Sequence, residues 1–197
     1  MKKAFLLLAA VATLSSCQRD EPKPLPNEDV ASLKEQFHGK YEIIAATSAI
    51  AVDLNEDGRS SADLLKEVPE LAFSNMVILV GKNLPDKKKY LGIIDVAWQT
   101  QQLLRVRNPG GPDSFVVWTY ANQITNRYFN FNTSLTQLEL EQLPAVPGDN
   151  GQFPAPESVS IVGPEQLLVV TNRLLYVQKV WTPVRVTALY KRYTKGT

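Results

Sequence analysis

The side chains best placed for chemistry lie in one short stretch. Asp53, Asn55 and Asp57 alternate along Asp53-Leu54-Asn55-Glu56-Asp57-Gly58, which sets three oxygen-bearing groups on one concave side of a loop that Gly58 lets bend sharply. Asp63 follows within reach of the same loop. Hard divalent cations take such oxygen sets, so calcium is the one cofactor the sequence suggests, and Asp53, Asn55, Asp57 and Asp63 are its candidate ligands. The same residues suit a purely structural role, with Asx turns at the three loop positions and Ser60 capping a short helix with Asp63 three residues on. Other reactive groups are sparse. His38 is the single histidine and precedes a glycine at the start of a strand, a capping or surface position more than a catalytic one. Glu139 and Glu141 alternate towards solvent on one strand, and nothing shows a facing carboxylate pair of the kind glycosidases need. Nucleophile elbow, phosphate loop, dinucleotide glycine pattern and histidine or cysteine cluster are all missing, so the chain reads as a non-enzyme.

The 53–58 run resembles the calcium loops of EF-hand and dockerin modules, and that resemblance implies a final bidentate acid at the twelfth position. Leu64 stands there instead, Asp63 lies one residue early and Glu67 three late. A site closed in that way binds calcium weakly, which a compartment outside the inner membrane tolerates.

The lone thiol, Cys17, ends a recognisable address. Lys2 and Lys3 precede an apolar run from Ala4 to Leu14, and Leu14-Ser15-Ser16 brings small residues up to the cysteine. Basic start, greasy middle and small-residue cleavage site are the parts of an export signal, and the run is shorter than the ~20 apolar residues a spanning helix needs. Leu14-Ser15-Ser16-Cys17 resembles the lipobox of bacterial lipoproteins. That resemblance implies a diacylglycerol on the Cys17 sulfur, cleavage after residue 16 and acylation of the freed amine, with the membrane as first partner. Two or more acyl chains make such an anchor lasting, at about 0.8 kcal/mol per buried methylene. Removal of residues 1–16 takes away two lysines and leaves 19 basic against 20 acidic side chains. A near-neutral chain argues against a nucleic-acid partner, and with Cys17 lipidated no thiol remains for a disulfide.

Residues 17–27 carry prolines at 22, 24 and 26 in a polar context and read as an extended tether. Gln18-Arg19-Asp20-Glu21 resembles the acidic export signals of Bacteroidetes-type lipoproteins, which implies the outer membrane and its cell-surface face, with a periplasmic orientation as the alternative. Residues 28–197 form the folded domain. A short helix from Asn27 presents Val30, Leu33 and Phe37 on one face, and Gly39 ends it. A strand follows from Lys40 to about Val52, with Tyr41, Ile43 and Ala45 on one face.

Beyond the 53–67 stretch the chain is nearly all strand: 73–80, 90–98, 103–107, 114–120, 127–131, 135–141, 158–162, 167–170, 174–181 and 184–193. Asn108-Pro109-Gly110-Gly111-Pro112 marks a turn between two of them. The fold class is mostly β, an antiparallel barrel or sandwich of about 8–10 strands with short N-terminal and loop helices.

Gly39-Lys40-Tyr41 resembles the glycine-x-tryptophan opening of lipocalins, with tyrosine in the tryptophan place. Ala188-Leu189-Tyr190-Lys191-Arg192-Tyr193 resembles their closing strand. The resemblance implies a calycin-like barrel in which Arg192, sharing a face with Val184, Val186, Ala188 and Tyr190, lies across the Tyr41 ring at the closed end. An outward Arg192 at a fraying terminus is the bland alternative. The Asp-Leu-Asn-x-Asp-Gly string and the leucine helix after it are similar to Bacteroidetes-type lipocalin-like lipoproteins, a family that implies an address and a fold but no activity. Two functions follow. One is a barrel holding a small apolar or amphipathic ligand against Trp98, Trp118 and Tyr120, although these rings also serve as ordinary core. The other is an accessory lipoprotein that docks on an outer-membrane protein and has no pocket.

Overall fold

The computed structural model describes residues 27–81, 90–143 and 154–196. The expected signal (1–16), the expected lipidation at Cys17 and the expected tether as far as residue 26 lie outside the described residues.

Helix α1 (Asn27–Phe37) leads into β1 (Gly39–Val52), followed by β2 (Ser61–Asp63), the one-turn α2 (Leu64–Glu67) and a 3-10 turn (Pro69–Phe73). The strands β3 (Asn75–Val80), β4 (Gly92–Val106), β5 (Ser114–Phe131), β6 (Gln137–Leu140), β7 (Ser158–Gly163), β8 (Gln166–Val177) and β9 (Val180–Thr194) complete the chain. Each strand pairs antiparallel with its neighbour in the order β1-β3-β4-β5-β6-β7-β8-β9, and β9 returns to β1 from Lys40↔Thr194 to Ser48↔Val186. Eight strands therefore close into a barrel, with β2 added outside the ring on the free half of β1. Closure leaves the ring without an exposed edge running its full length. The architecture is consistent with a lipocalin-like fold.

Strand periodicity fills the interior. Met76, Ile78 and Val80 of β3, Ile94, Val96 and Trp98 of β4, and Val184, Val186, Ala188 and Tyr190 of β9 alternate inwards and are buried. In β1 the alternation slips. Tyr41 and Ile43 face the core, but a bulge opposite Tyr190 and Leu189 sends Ala46 and Ser48 inwards in place of Ala45. An extra residue on one strand reverses the faces beyond it.

Four expected strands merge into two. The stretches 90–98 and 103–107 belong to the single β4, and 114–120 and 127–131 to the single β5, paired from Gly92↔Phe129 out to Val106↔Ser114. Apolar alternation lapses in the middle because β4 carries the polar run Gln99-Thr100-Gln101-Gln102 there, although Thr100 and Gln101 are buried, while no glycine or proline interrupts the extended backbone. The outer part, residues 103–120, is a projecting arm. Similarly, 167–170 and 174–181 are resolved into β8 and the start of β9, joined by Gln178 and Lys179, both at positive φ (48° and 67°) as a two-residue hairpin turn demands.

The barrel has two differently closed ends. At one, α1 lies over the strands, with Leu33 buried and the Phe37 ring 4.7 Å from that of Phe131. Gly39 turns the chain from helix to strand at φ +141°, where a side chain would run into the Thr194 carbonyl. At the other, the connection from Asp53 to Ser74 folds back as a plug. Its Leu54, Leu64, Val68 and Leu71 join the main core, and the buried Glu67 carboxylate accepts the Leu54 N–H at 2.9 Å to hold the two halves together.

Candidate functional site

Trp98, buried on β4, and Tyr120, half-buried on β5, come together at the plugged mouth of the barrel, where they border a space of about 10 Å³ shared with Thr100 and the plug leucines. That volume admits at most one water. Trp118 does not join them. It sits on the projecting arm with 73% of its surface exposed, because the arm has left the barrel before the chain reaches it. The expected aromatic lining of a ligand cavity is thus reduced to two rings around a filled interior.

A residue that sequence reasoning passed over dominates this end. Arg173 follows Leu167, Val169 and Thr171 on the inward register of β8 and is buried at 7% exposure. Its guanidinium carbon stands 4.1 Å from the centroid of the Trp98 ring. Burial pulls its pKa down to about 10, opposed only by the Tyr190 phenol, so it stays charged at neutral pH. Its Nε, the Thr100 hydroxyl and the Tyr190 hydroxyl are buried without a hydrogen-bond partner among the described residues. The same burial pushes the Tyr190 and Tyr120 phenols up to about 12. A cation on an otherwise apolar inward register is the signal that would have found Arg173, as it found Arg192.

Arg192 does face inwards and stands across from Tyr41 in the β1–β9 ladder. Its charge is met differently from the expected ring stacking. One terminal nitrogen donates to the carbonyls of Glu35 (2.9 Å) and His38 (3.2 Å), where α1 ends, and the other to the Glu165 carboxylate (2.8 Å). The open carbonyls and negative dipole end of a helix suit a guanidinium. Tyr41 instead donates its hydroxyl to the Phe37 carbonyl at 2.7 Å, and burial pushes its phenol up to about 12. His38 accepts the Val80 N–H at Nδ1 (3.2 Å), and burial lowers its pKa. Lys195 pairs with Glu35 beside this clasp. An open recess of about 540 Å³ adjoins it, and its charges, Arg192 with Glu165 and Lys195 with Glu35, are already paired.

Most oxygens of the 53–63 stretch are engaged in turns, although Asp53 Oδ1 is buried without a hydrogen-bond partner among the described residues. Asp53 accepts the Gly58 N–H (3.0 Å), Asn55 that of Asp57 (3.1 Å) and Asp57 that of Arg59 (2.8 Å). Asp63 caps α2 by accepting the Leu65 N–H (3.2 Å) and pairs with Lys66, taking the cap expected of Ser60. Among the described residues no group of three histidine, cysteine or acidic side chains is arranged to hold a metal ion. Glu139 is exposed as expected, whereas Glu141 is buried, its N–H donated to the Tyr128 carbonyl (2.7 Å).

The arm presents an exposed apolar surface. Leu104, Val106, Val116 and Trp118 share one face through the Leu104↔Val116 pair, and all are exposed. Asp113 fixes its tip by accepting the Asn108 N–H (3.1 Å) and pairing with Arg105. Gln101 anchors its base, exchanging hydrogen bonds of 2.9 and 2.7 Å with the backbone of Tyr176 on β8. No helix among the described residues is long and apolar enough to cross a membrane. Compared with protein-family models, curated proteins and solved structures, the chain matches none.

Proposed function

We propose that this chain is a cell-envelope lipoprotein, moored through Cys17 to the outer membrane, whose barrel is a rigid scaffold offering its β4–β5 arm to an outer-membrane protein. The observation that supports this reading is the exposed apolar face of the arm, where Leu104, Val106, Val116 and Trp118 stand in water beside a barrel mouth whose free space is about 10 Å³. A contiguous exposed apolar patch of this kind marks a contact surface. Tryptophan, present here as Trp118 at the base of the patch, is a residue type enriched at the hot spots of such contacts. The plugged end from which the arm projects is opposite α1, the element that directly follows the proposed tether in the sequence, which suits a mooring at Cys17 with the arm at the far end of the barrel.

A photo-crosslinking residue at position 116, with one at the exposed wall position 44 as control, tests this in native envelopes. One discrete protein adduct from position 116, absent from position 44 and lost on Trp118→Ser, is the expected result. Equal labelling from both positions removes the reading. Detergent phase partition and intact mass of the same material test the mooring: a bare Cys17 thiol in the aqueous phase refutes it.

A further inference from the structure

Arg173 is a buried charge with no opposite charge beside it. Among the described residues its side chain makes no ion pair, and its Nε is buried without a hydrogen-bond partner. Of the plug acids, Glu67 accepts the Leu54 N–H, and neither Glu67 nor Glu70 forms an ion pair with Arg173. Stacking on Trp98 satisfies one face of the guanidinium, but its N–H groups lie in the plane and still need acceptors. Thr100 borders the same space with an equally unpartnered hydroxyl. A single water fits there and can accept hydrogen bonds, yet it leaves the charge unmatched.

An anion that answers this arrangement is planar, carries one negative charge, accepts two parallel hydrogen bonds and tolerates apolar walls. A carboxylate has all four properties. A phosphate is tetrahedral, carries more charge than one cation offsets and does not suit the surrounding Leu54, Leu64, Leu71 and Leu175. We propose that the barrel mouth is a carboxylate-binding site in which Arg173 supplies the charge, Thr100 a hydroxyl donor and Trp98 the platform that orients the guanidinium. The carboxylate is larger than the present space, so its entry displaces plug side chains. Leu54 is the natural one to yield, since the exposed loop 55–60 follows it directly. The group can come from a small free acid or from the head of an amphipathic one, and the site chemistry is the same for both.

Thermal melting of the purified full chain with sodium acetate, sodium dodecanoate or dodecanol, at ionic strength matched with sodium chloride, separates the cases. At carboxylate concentrations near a hundred times the dissociation constant, the midpoint rises by about 5–10 °C. Dodecanoate alone active identifies an amphipathic acid; acetate acting as strongly identifies a compact one. In either case Arg173→Met abolishes the rise, Arg173→Lys keeps part of it, and Thr100→Val weakens binding about tenfold. The proposal is overturned if neither carboxylate moves the midpoint, if dodecanol acts as well as dodecanoate, or if the rise survives Arg173→Met. Should Arg173→Met not fold, Thr100→Val decides: an unchanged dissociation constant overturns the assignment.

Discussion

Replacement of Arg192 by methionine isolates what holds α1 on the barrel. Methionine keeps most of the buried stem and removes the guanidinium, whose side chain is 5% exposed. Two hydrogen bonds from a charged donor to the Glu35 and His38 carbonyls are lost, each worth about 1.5–3 kcal/mol. The contact with the half-exposed Glu165 carboxylate adds little to that, because water screens it. Relief from burying a cation offsets part of the loss, so the net destabilisation is about 3 kcal/mol, or a fall in Tm of about 6–12 °C for a domain of this size. The loss is also localised. Amide hydrogen exchange in Arg192→Met should show α1 opening well before the β8–β9 ladder, whereas in the unaltered chain the helix is held to strands at both ends of the sequence. Uniform loss of protection over the whole barrel, or a Tm within 1–2 °C of the unaltered chain (below the effect of about 1 kcal/mol), would show that the clasp is not what docks the helix.

Other perturbations have equally definite outcomes. Lys195 holds the Glu35 carboxyl and Arg192 the Glu165 carboxyl below the ordinary carboxylate range. A carboxyl depressed in the folded state stabilises above its unfolded pKa and ceases to do so as pH falls through the folded value, so acid titration should loosen α1 slightly before the barrel melts, the effect kept small by solvent screening and read by exchange at falling pH. Gly39→Ala meets both a disfavoured φ and the Thr194 carbonyl, and should cost at least 2 kcal/mol in denaturant unfolding. Gln178→Asn with Lys179→Gly supplies residues that accept positive φ and should add about 0.5–1 kcal/mol by the same measurement. If the oxygens of the 53–63 stretch serve only as turn acceptors, millimolar calcium leaves the midpoint unchanged, and a rise that chelator reverses would restore a metal role for Asp53, Asn55, Asp57 and Asp63.

The parts of the structure that follow from local pattern were legible in the sequence, and the parts fixed by distant contacts were not. Helix α1 and the inward faces of β3 and β9 show in the spacing of apolar residues, and the barrel follows from many short antiparallel strands. The long arm was hidden because the polar run Gln99-Thr100-Gln101-Gln102 interrupts β4 even though Thr100 and Gln101 are buried, which erases the apolar alternation that reveals a strand. The Gln178-Lys179 turn was hidden because neither residue is a habitual occupant of positive φ; the ladders on either side impose it. At the functional site, the meeting of Trp98 with Tyr120 and the inward aim of Arg192 follow from register. The partner of Arg192 does not, since the carbonyls that receive it lie more than 150 positions away in the chain. Trp118 was misplaced for the same reason as the arm. Arg173 shows the opposite error, a signal present in plain alternation but passed over in a stretch dominated by leucine and valine.

The seam between β1 and β9 bears on how the protein is made. Lys40 pairs with Thr194 and Thr47 with Thr187, so the first strand waits for the last before either is fully laid down. Contacts of such long range slow folding, and here they forbid an early finished cylinder: until the C-terminal residues emerge, the nascent polypeptide is an open ribbon. The export address proposed for residues 1–16 would profit from that delay, since an unclosed chain stays threadable and the circle would be joined only on the far side.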